Sequence, residues 1–210
     1  MRTRVKICGF TRVADALAAA EFGVDAIGLV FYPPSPRHVA IDRAVEIVRA
    51  LPAFVTVVAL FVDAEPEWIH EVLSQVRIDC LQFHGDESPE ACRMYGKPYI
   101  KAIRMQAETD IFRLESRYAD ATGLLLDAYH PGVKGGTGSG FDWDLIPSEC
   151  RVPIILAGGL SPENATLAVQ QVRPYALDVS SGVESGKGIK DKAKMAAFIR
   201  KTNQVNYEND

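Results

Sequence analysis

The chain has 210 residues, 48% of them hydrophobic, and a formal net charge of −4. That balance lacks the basic stripe of a nucleic-acid binder, and no segment has the ~18 consecutive apolar residues of a membrane helix. The length suits one sizeable core and leaves little room for a second domain, so residues 1–210 are expected to form a single unit.

Eight short apolar runs recur along the chain, separated by segments of helical period. The first is Arg4–Cys8. Thr11 is then placed to cap a helix that crosses an alanine-rich stretch and stops at Gly23. Strand 2 is expected over Ala26–Phe31, followed by the loop YPPSPRHV, which its three prolines stiffen. The second helix is predicted over Asp42–Leu51, with Ala44, Ile47, Val48 and Leu51 on one face. Strand 3 follows at Val55–Val62, then a helix with Pro66 near its first turn. Strand 4 is Cys80–His84, after which Ser88 caps a helix with Pro89 at its first position. Strand 5 is Tyr99–Ile103, a short helix lies near Ile111–Tyr118, and strand 6 is Thr122–Asp127. The longest irregular stretch, AYHPGVKGGTGSGFDW, comes next; its glycines suggest a substrate-covering loop over 128–141. Strand 7 is Pro153–Leu156, with Ser161 as cap and Pro162 at the first position of the following helix. Strand 8 is Ala176–Ser180, and the last helix begins near Lys190.

Strands that are apolar almost throughout belong to parallel sheets covered on both faces. Eight of them, each followed by a helix, predict a closed (β/α)₈ TIM barrel, whose chemistry sits at the carboxyl ends of its strands. Side chains alternate between the interior and the helix layer. The parity turns Lys6 and Cys8, Gln82 and His84, Leu125 and Asp127, and Asp178 and Ser180 inward. The mouth is therefore unusually polar, where a packing core would use branched apolar residues. Lys6 and Asp178 are expected to pair inside the barrel, because strand 8 closes against strand 1 and a lone buried charge is costly. Asp178 facing the mouth and holding substrate is the competing role.

Several mouth residues are candidates for chemistry. Gly158 and Gly159 follow strand 7, and Ser180, Ser181 and Gly182 follow strand 8. Bare N–H groups at those two places suit a phosphate, often with a short extra helix, for which Ser181–Gly186 is the candidate. Cys8 could act as a base through its thiolate, or be a buried structural thiol. Asp127 ends GLLLD and could be a general acid, or a helix cap or loop ion-pair partner. Arg37, in the proline-braced loop, can grip a planar carboxylate through two parallel bonds, or be a solvated loop arginine. Gln82, His84 and Asp178 are further candidates for substrate contact. The four histidines are scattered without an i,i+4 pair, so metal catalysis has little support. The first eight residues run straight into a strand, leaving no room for an export signal. Cys8, Cys80, Cys92 and Cys150 form neither a CxxC pair nor a zinc-ribbon rhythm, so free thiols in a reducing cytoplasm are expected.

Together these stretches carry a resemblance. KICGFT at 6–11, SPR at 35–37, LQFHGDE at 81–87, LLLD at 124–127, GGTGSGFDW at 135–143, LAGGLSPEN at 156–164 and DVSSGVESGKGIKD at 178–191 all contribute. The chain resembles the phosphoribosylanthranilate isomerase family of tryptophan biosynthesis over nearly its whole length and in order. Phe83 departs from the family's more usual leucine. The resemblance implies an Amadori rearrangement of a phosphorylated sugar–anthranilate, with Asp127 as general acid and Cys8 as general base. It implies phosphate at the Gly159 and Ser181 loops, the anthranilate carboxylate at Arg37, and neither metal nor redox cofactor. A cytoplasmic monomer or homodimer, with no nucleic-acid or membrane partner, is expected. A histidine-pathway barrel isomerase acting on a bisphosphate would be expected to use two aspartates and a second phosphate site, whereas strand 1 here ends in Cys8. A non-catalytic phosphate-binding barrel would bind ligand without turnover.

Overall fold

Alternation within each strand decides which layer a side chain joins, and the two layers are distinct in this computed structural model, which describes residues 2–128 and 141–205. Val5, Ile7, Leu81, Phe83, Leu124, Leu126, Leu177 and Val179 belong to a large buried cluster shared with the helices. Their strand neighbours Leu125 and Ala176 join Val58, Cys80, Ile100, Ala102, Ile155 and Ala157 in a separate small cluster inside the sheet. The interior is thus a packed plug of side chains rather than a pore.

Eight parallel strands close that plug: β1 Arg4–Cys8, β2 Ala26–Val30, β3 Thr56–Phe61, β4 Cys80–Phe83, β5 Tyr99–Met105, β6 Gly123–Ala128, β7 Ile154–Leu156 and β8 Ala176–Val179. They neighbour one another in sequence order, and β8 returns to pair with β1. The β1–β8 register sets Lys6 opposite Asp178, and the β5–β6 register sets Arg104 opposite Asp127. β5 runs two residues beyond the predicted strand because this pairing continues to Met105 opposite Ala128.

The helices are α1 Val13–Glu21, α2 Ile41–Ala50, α3 Pro66–Gln75, α4 Pro89–Arg93, α5 Ile111–Arg117, α6 Ala165–Val172 and α7 Lys192–Asn203. α2 buries Ala44, Ile47 and Val48 along one face and leaves its charges outside, the expected amphipathic division. Ser88 caps α4 by accepting the Ala91 N–H at 3.3 Å, and Asp191 caps α7 by accepting the Lys194 N–H at 3.0 Å.

Four local expectations are corrected. Thr11 does not cap α1, whose first residue is Val13; its hydroxyl donates instead to the Gly188 carbonyl at 2.6 Å. Ser161 does not cap α6. The Asn164 side chain accepts the Ser161 N–H and donates to the Gly159 carbonyl, closing a turn that delays the helix to Ala165. Ser181–Gly186 is not one helix: Ser181–Val183 forms a 3₁₀ turn, and β9 Glu184–Gly186 then pairs antiparallel with β10 Ile189–Lys190. Not every strand is followed by an α-helix: between β6 and β7 the described residues hold a single 3₁₀ turn, Trp143–Leu145. Most of the segment read as a substrate-covering loop, 129–140, lies outside the described residues. Among them no helix is long and apolar enough to cross a membrane.

Candidate active site

The polar residues that parity turned inward meet at the carboxyl ends of the strands. Lys6 Nζ donates to Asp178 Oδ2 at 2.8 Å, with both side chains buried. Burial works against the Lys6 ammonium, but Asp178 and Cys8 more than offset it and hold its pKa above the ordinary value. Asp178 Oδ1 is buried without a hydrogen-bond partner among the described residues, which leaves a free acceptor beside the mouth.

Cys8 stands two residues further up the same face of β1 and is 6% exposed. Burial pushes its thiol up, Lys6 pulls it down, Asp178 adds to the rise and Lys190 opposes it; the balance is upward. Its β2 partner in register is Gly28. A Cβ at Gly28 would lie 2.6 Å from Cys8 Sγ and 3.0 Å from its Cα, so the thiol needs a residue without a side chain opposite it. The Cys8 carbonyl accepts from Lys190 Nζ at 2.6 Å and from Ser180 Oγ at 3.0 Å.

Asp127 is the penultimate residue of β6, on the other side of the mouth. Its Oδ1 accepts the N–H of Ala128 at 2.9 Å, and its Oδ2 lies 3.2 Å from His84 Nε2. His84 Nδ1 in turn lies 3.0 Å from Gln82 Nε2. Gln82, His84 and Asp127 therefore form one buried chain. Asp127 and His84 both act electrostatically on Asp178, which joins this chain to the Lys6–Cys8 side. Gly158 adopts φ +81°, and a Cβ there would lie 2.8 Å from Asp127 Oδ1 and 2.5 Å from the Ala128 nitrogen. Both the backbone angle and the close approach call for glycine.

Gly159 follows directly, so the turn after β7 and the Ser180–Gly182 segment after β8 stand where barrels of this kind bind phosphate. Ser180 Oγ donates to the Cys8 carbonyl, while Ser181 and Gly182 begin the 3₁₀ turn and are half-buried.

Arg37 is not a free loop arginine. Its Nε and Nη2 donate to Glu184 Oε1 and Oε2, each at 2.8 Å. Two of the guanidinium's five N–H donors are thereby used. Glu184 also accepts from Lys190 Nζ at 2.9 Å. Burial raises the Glu184 carboxyl, but Arg37 and Lys190 more than offset this and hold it below its ordinary value.

Sequence reasoning missed Glu184, Lys190 and Arg104 as parts of this site. Arg104 Nη2 donates to the His84 carbonyl at 3.1 Å, and its Nε is buried without a partner among the described residues. Its signal was available: Ala102 faces inward, and Arg104 is two residues further on. Glu184 and Lys190 gave no such signal, because the groups they link, Arg37 and the Cys8 carbonyl, lie far away in sequence. Among the described residues no group of three or more His, Cys, Asp or Glu side chains could hold a metal ion.

A closed eight-stranded parallel barrel with a thiol, a carboxyl and an arginine converging at its carboxyl end has the layout of a (β/α)₈-barrel enzyme. The family described as N-(5′-phosphoribosyl)anthranilate (PRA) isomerase matches residues 5–201. The chain belongs to that family. It is 59% identical over 206 residues to the N-(5′-phosphoribosyl)anthranilate isomerase of Nitrosococcus oceani, covering 98% of this chain and all of that one. It is 58% identical over 196 residues to the enzyme of the same name from Pseudomonas aeruginosa, covering 93% of each. Among solved structures, phosphoribosyl anthranilate isomerase from Thermotoga maritima superposes with a TM-score of 0.88 at 42% identity, covering 97% of this chain and all of that one. Another, of phosphoribosyl anthranilate isomerase in complex with reduced 1-(o-carboxyphenylamino)-1-deoxyribulose 5-phosphate, has a TM-score of 0.82 at 39% identity, with the same coverage.

Proposed function

We propose that this isomerase acts in tryptophan biosynthesis in the cytoplasm, converting N-(5′-phosphoribosyl)anthranilate to 1-(2-carboxyphenylamino)-1-deoxyribulose 5-phosphate by an Amadori rearrangement. The observation that carries the reading is the placement of Cys8 and Asp127 at the tops of β1 and β6, both facing one buried polar mouth. Asp127 protonates the furanose ring oxygen as the aniline nitrogen lone pair opens the ring to a Schiff base. Cys8, as thiolate, removes the C2′ proton, and the resulting enolamine becomes the ketone. Every step is a proton transfer coupled to bond breaking or electron movement within the substrate. A thiol pushed up by burial supplies little thiolate at neutral pH, but that thiolate is a strong base; Lys6 and Lys190 moderate the rise.

The substrate phosphate sits against Gly158, Gly159, Ser181 and Gly182, with Ser180 tying that loop to the Cys8 carbonyl. The remaining donors of Arg37 take the anthranilate carboxylate, and the free oxygen of Asp178 accepts from a sugar hydroxyl. Two anchored ends hold the reacting carbon between acid and base, which supplies the positional advantage of an intramolecular reaction. The test is fluorescence of N-(5′-phosphoribosyl)anthranilate generated in situ, followed as it decays on addition of the protein. The signal should fall at a rate set by enzyme concentration, with the ketone product identified by its ¹³C carbonyl resonance and by its conversion in the next pathway step. A decay no faster than spontaneous hydrolysis, yielding only anthranilate, would end the reading.

A further inference from the structure

Gln82 is an oddity inside the barrel. It is fully buried on β4, and its partners in register are Leu60 on β3 and Ile100 on β5. An aliphatic side chain would fill that position at no polar cost, yet the residue is an amide, and its Oε1 has no hydrogen-bond partner among the described residues. A buried amide with one end unsatisfied carries a desolvation penalty that its other end has to justify. That other end, Nε2, lies 3.0 Å from His84 Nδ1, and His84 Nε2 lies 3.2 Å from Asp127 Oδ2.

The donor logic of this chain has one solution when Asp127 is ionised and the His84 ring is neutral. A carboxylate only accepts, so His84 Nε2 must carry a hydrogen. In the neutral ring Nδ1 is then a bare lone pair and needs a donor, which the Gln82 amide provides. Were the amide turned over, Oε1 would face Nδ1 and require a hydrogen there. The bare Nε2 would then oppose Asp127 Oδ2, acceptor against acceptor.

We propose that Gln82 is a positioning residue that fixes neutral His84 as the Nε2–H tautomer, so that His84 donates to the Asp127 carboxylate as that carboxylate forms. The proposal rests on the reading of Asp127 as the general acid. When Asp127 gives its proton to the ring oxygen, negative charge develops on the carboxyl group. His84 Nε2–H already points at Oδ2 to meet it, while the Ala128 N–H meets Oδ1. The preorganised donor costs no rearrangement at the moment of reaction. The Gln82 amide meets His84 rather than Asp127 in the hydrogen-bonded chain, so it acts through the ring it orients.

The experiment reads the tautomer directly. In the ¹⁵N-labelled wild-type protein at neutral pH, long-range nitrogen–proton correlation should show His84, assigned by its loss in His84→Asn, with hydrogen on Nε2 and none on Nδ1. In Gln82→Glu the new carboxylate should draw a hydrogen to Nδ1. In Gln82→Met, of similar size but without a donor, kcat should fall ten- to a hundredfold, the scale for losing the group that orients a functional imidazole, while KM stays within about twofold. In a His84→Asn background the same Gln82→Met change should have little further effect, since the two residues act as one unit. Hydrogen on Nδ1 in the wild type would overturn the proposal, and so would an equal loss from Gln82→Met with and without His84. If the Gln82 variants do not fold, the wild-type tautomer decides alone. The tautomer is measured without substrate, so a failure of the proposed reaction and a failure of this positioning role are separate results.

Discussion

Glu184 grips Arg37 with both carboxylate oxygens, at 2.8 Å each, across 147 positions of sequence. The same carboxylate accepts from Lys190, whose ammonium also holds the carbonyl of Cys8. Two side chains on the β9–β10 hairpin, Glu184 and Lys190, therefore join the arginine loop after β2 to the backbone of the proposed base. Arg37 keeps its orientation because a buried partner holds it there through two parallel bonds.

Glu184 titrates below its ordinary value in the folded chain, since Arg37 and Lys190 more than offset its burial. A depressed carboxyl contributes stability above its unfolded value, near 4.3, and loses it as pH falls through the lower folded value. Glu184→Gln should accordingly lower stability at pH 7 by about 1–3 kcal/mol, the scale of hydrogen bonds to charged groups. The gap to wild type should narrow as pH falls below about 4.3. Urea titrations of both proteins across that range measure it; a gap that widens in acid would contradict the pairing.

Lys6 and Asp178 should each be costly to remove alone. Lys6→Met leaves a buried carboxylate and Asp178→Asn leaves a buried ammonium, so each should destabilise the fold by about 3–5 kcal/mol. The double substitution should recover much of that loss, because it leaves no unpaired charge. Thermal or urea unfolding of the three variants is the check.

Cys8→Ala and Asp127→Asn should each reduce kcat by about 10²-fold or more, the scale of lost general acid–base catalysis. Substrate affinity should change little. Cys8→Ser should also be poor, because an alcohol is a far weaker acid than a thiol and supplies almost no anion. Steady-state kinetics with substrate made in situ separates kcat from KM; near-normal kcat in Cys8→Ala would remove Cys8 from the mechanism.

Arg37→Ala should act on the anthranilate end. Substrate binding should weaken by ~1.5–3 kcal/mol, as for a charge-assisted hydrogen bond, while inorganic phosphate binds as before. Calorimetric titration with phosphate and with an anthranilate-end analogue tells the two ends apart. A loss of phosphate affinity with unchanged analogue binding would reverse the proposed orientation.

Gly28→Ala should damage activity more than stability. The added Cβ falls 2.6 Å from Cys8 Sγ and 3.0 Å from its Cα, so rotating the thiol does not relieve the whole clash. Overpacking of this kind costs about 1–3 kcal/mol. A displaced base should lower kcat by up to about 10²-fold, as small misplacements of reacting groups do. Unfolding midpoints and kcat measured on one preparation give both numbers.

The sequence by itself determined the eight strands, their inward and outward faces, and the polar mouth. A strand's two-residue period writes burial directly into the order of residues, as at Leu125 and Asp127 or Asp178 and Ser180. Closure of strand 8 on strand 1 even made the Lys6–Asp178 pair legible, because the barrel fixes which strands meet. Tertiary structure alone decided what each polar group touches. Thr11 bonds Gly188 rather than the end of α1, and Ser161 yields its capping place to an Asn164 turn. Arg37 finds Glu184, and Lys190 reaches the carbonyl of Cys8. Hydrogen bonds are short-ranged and directional, so partners distant in sequence leave no periodic trace in it. Burial repeats along a strand; a single contact between a loop and a hairpin does not.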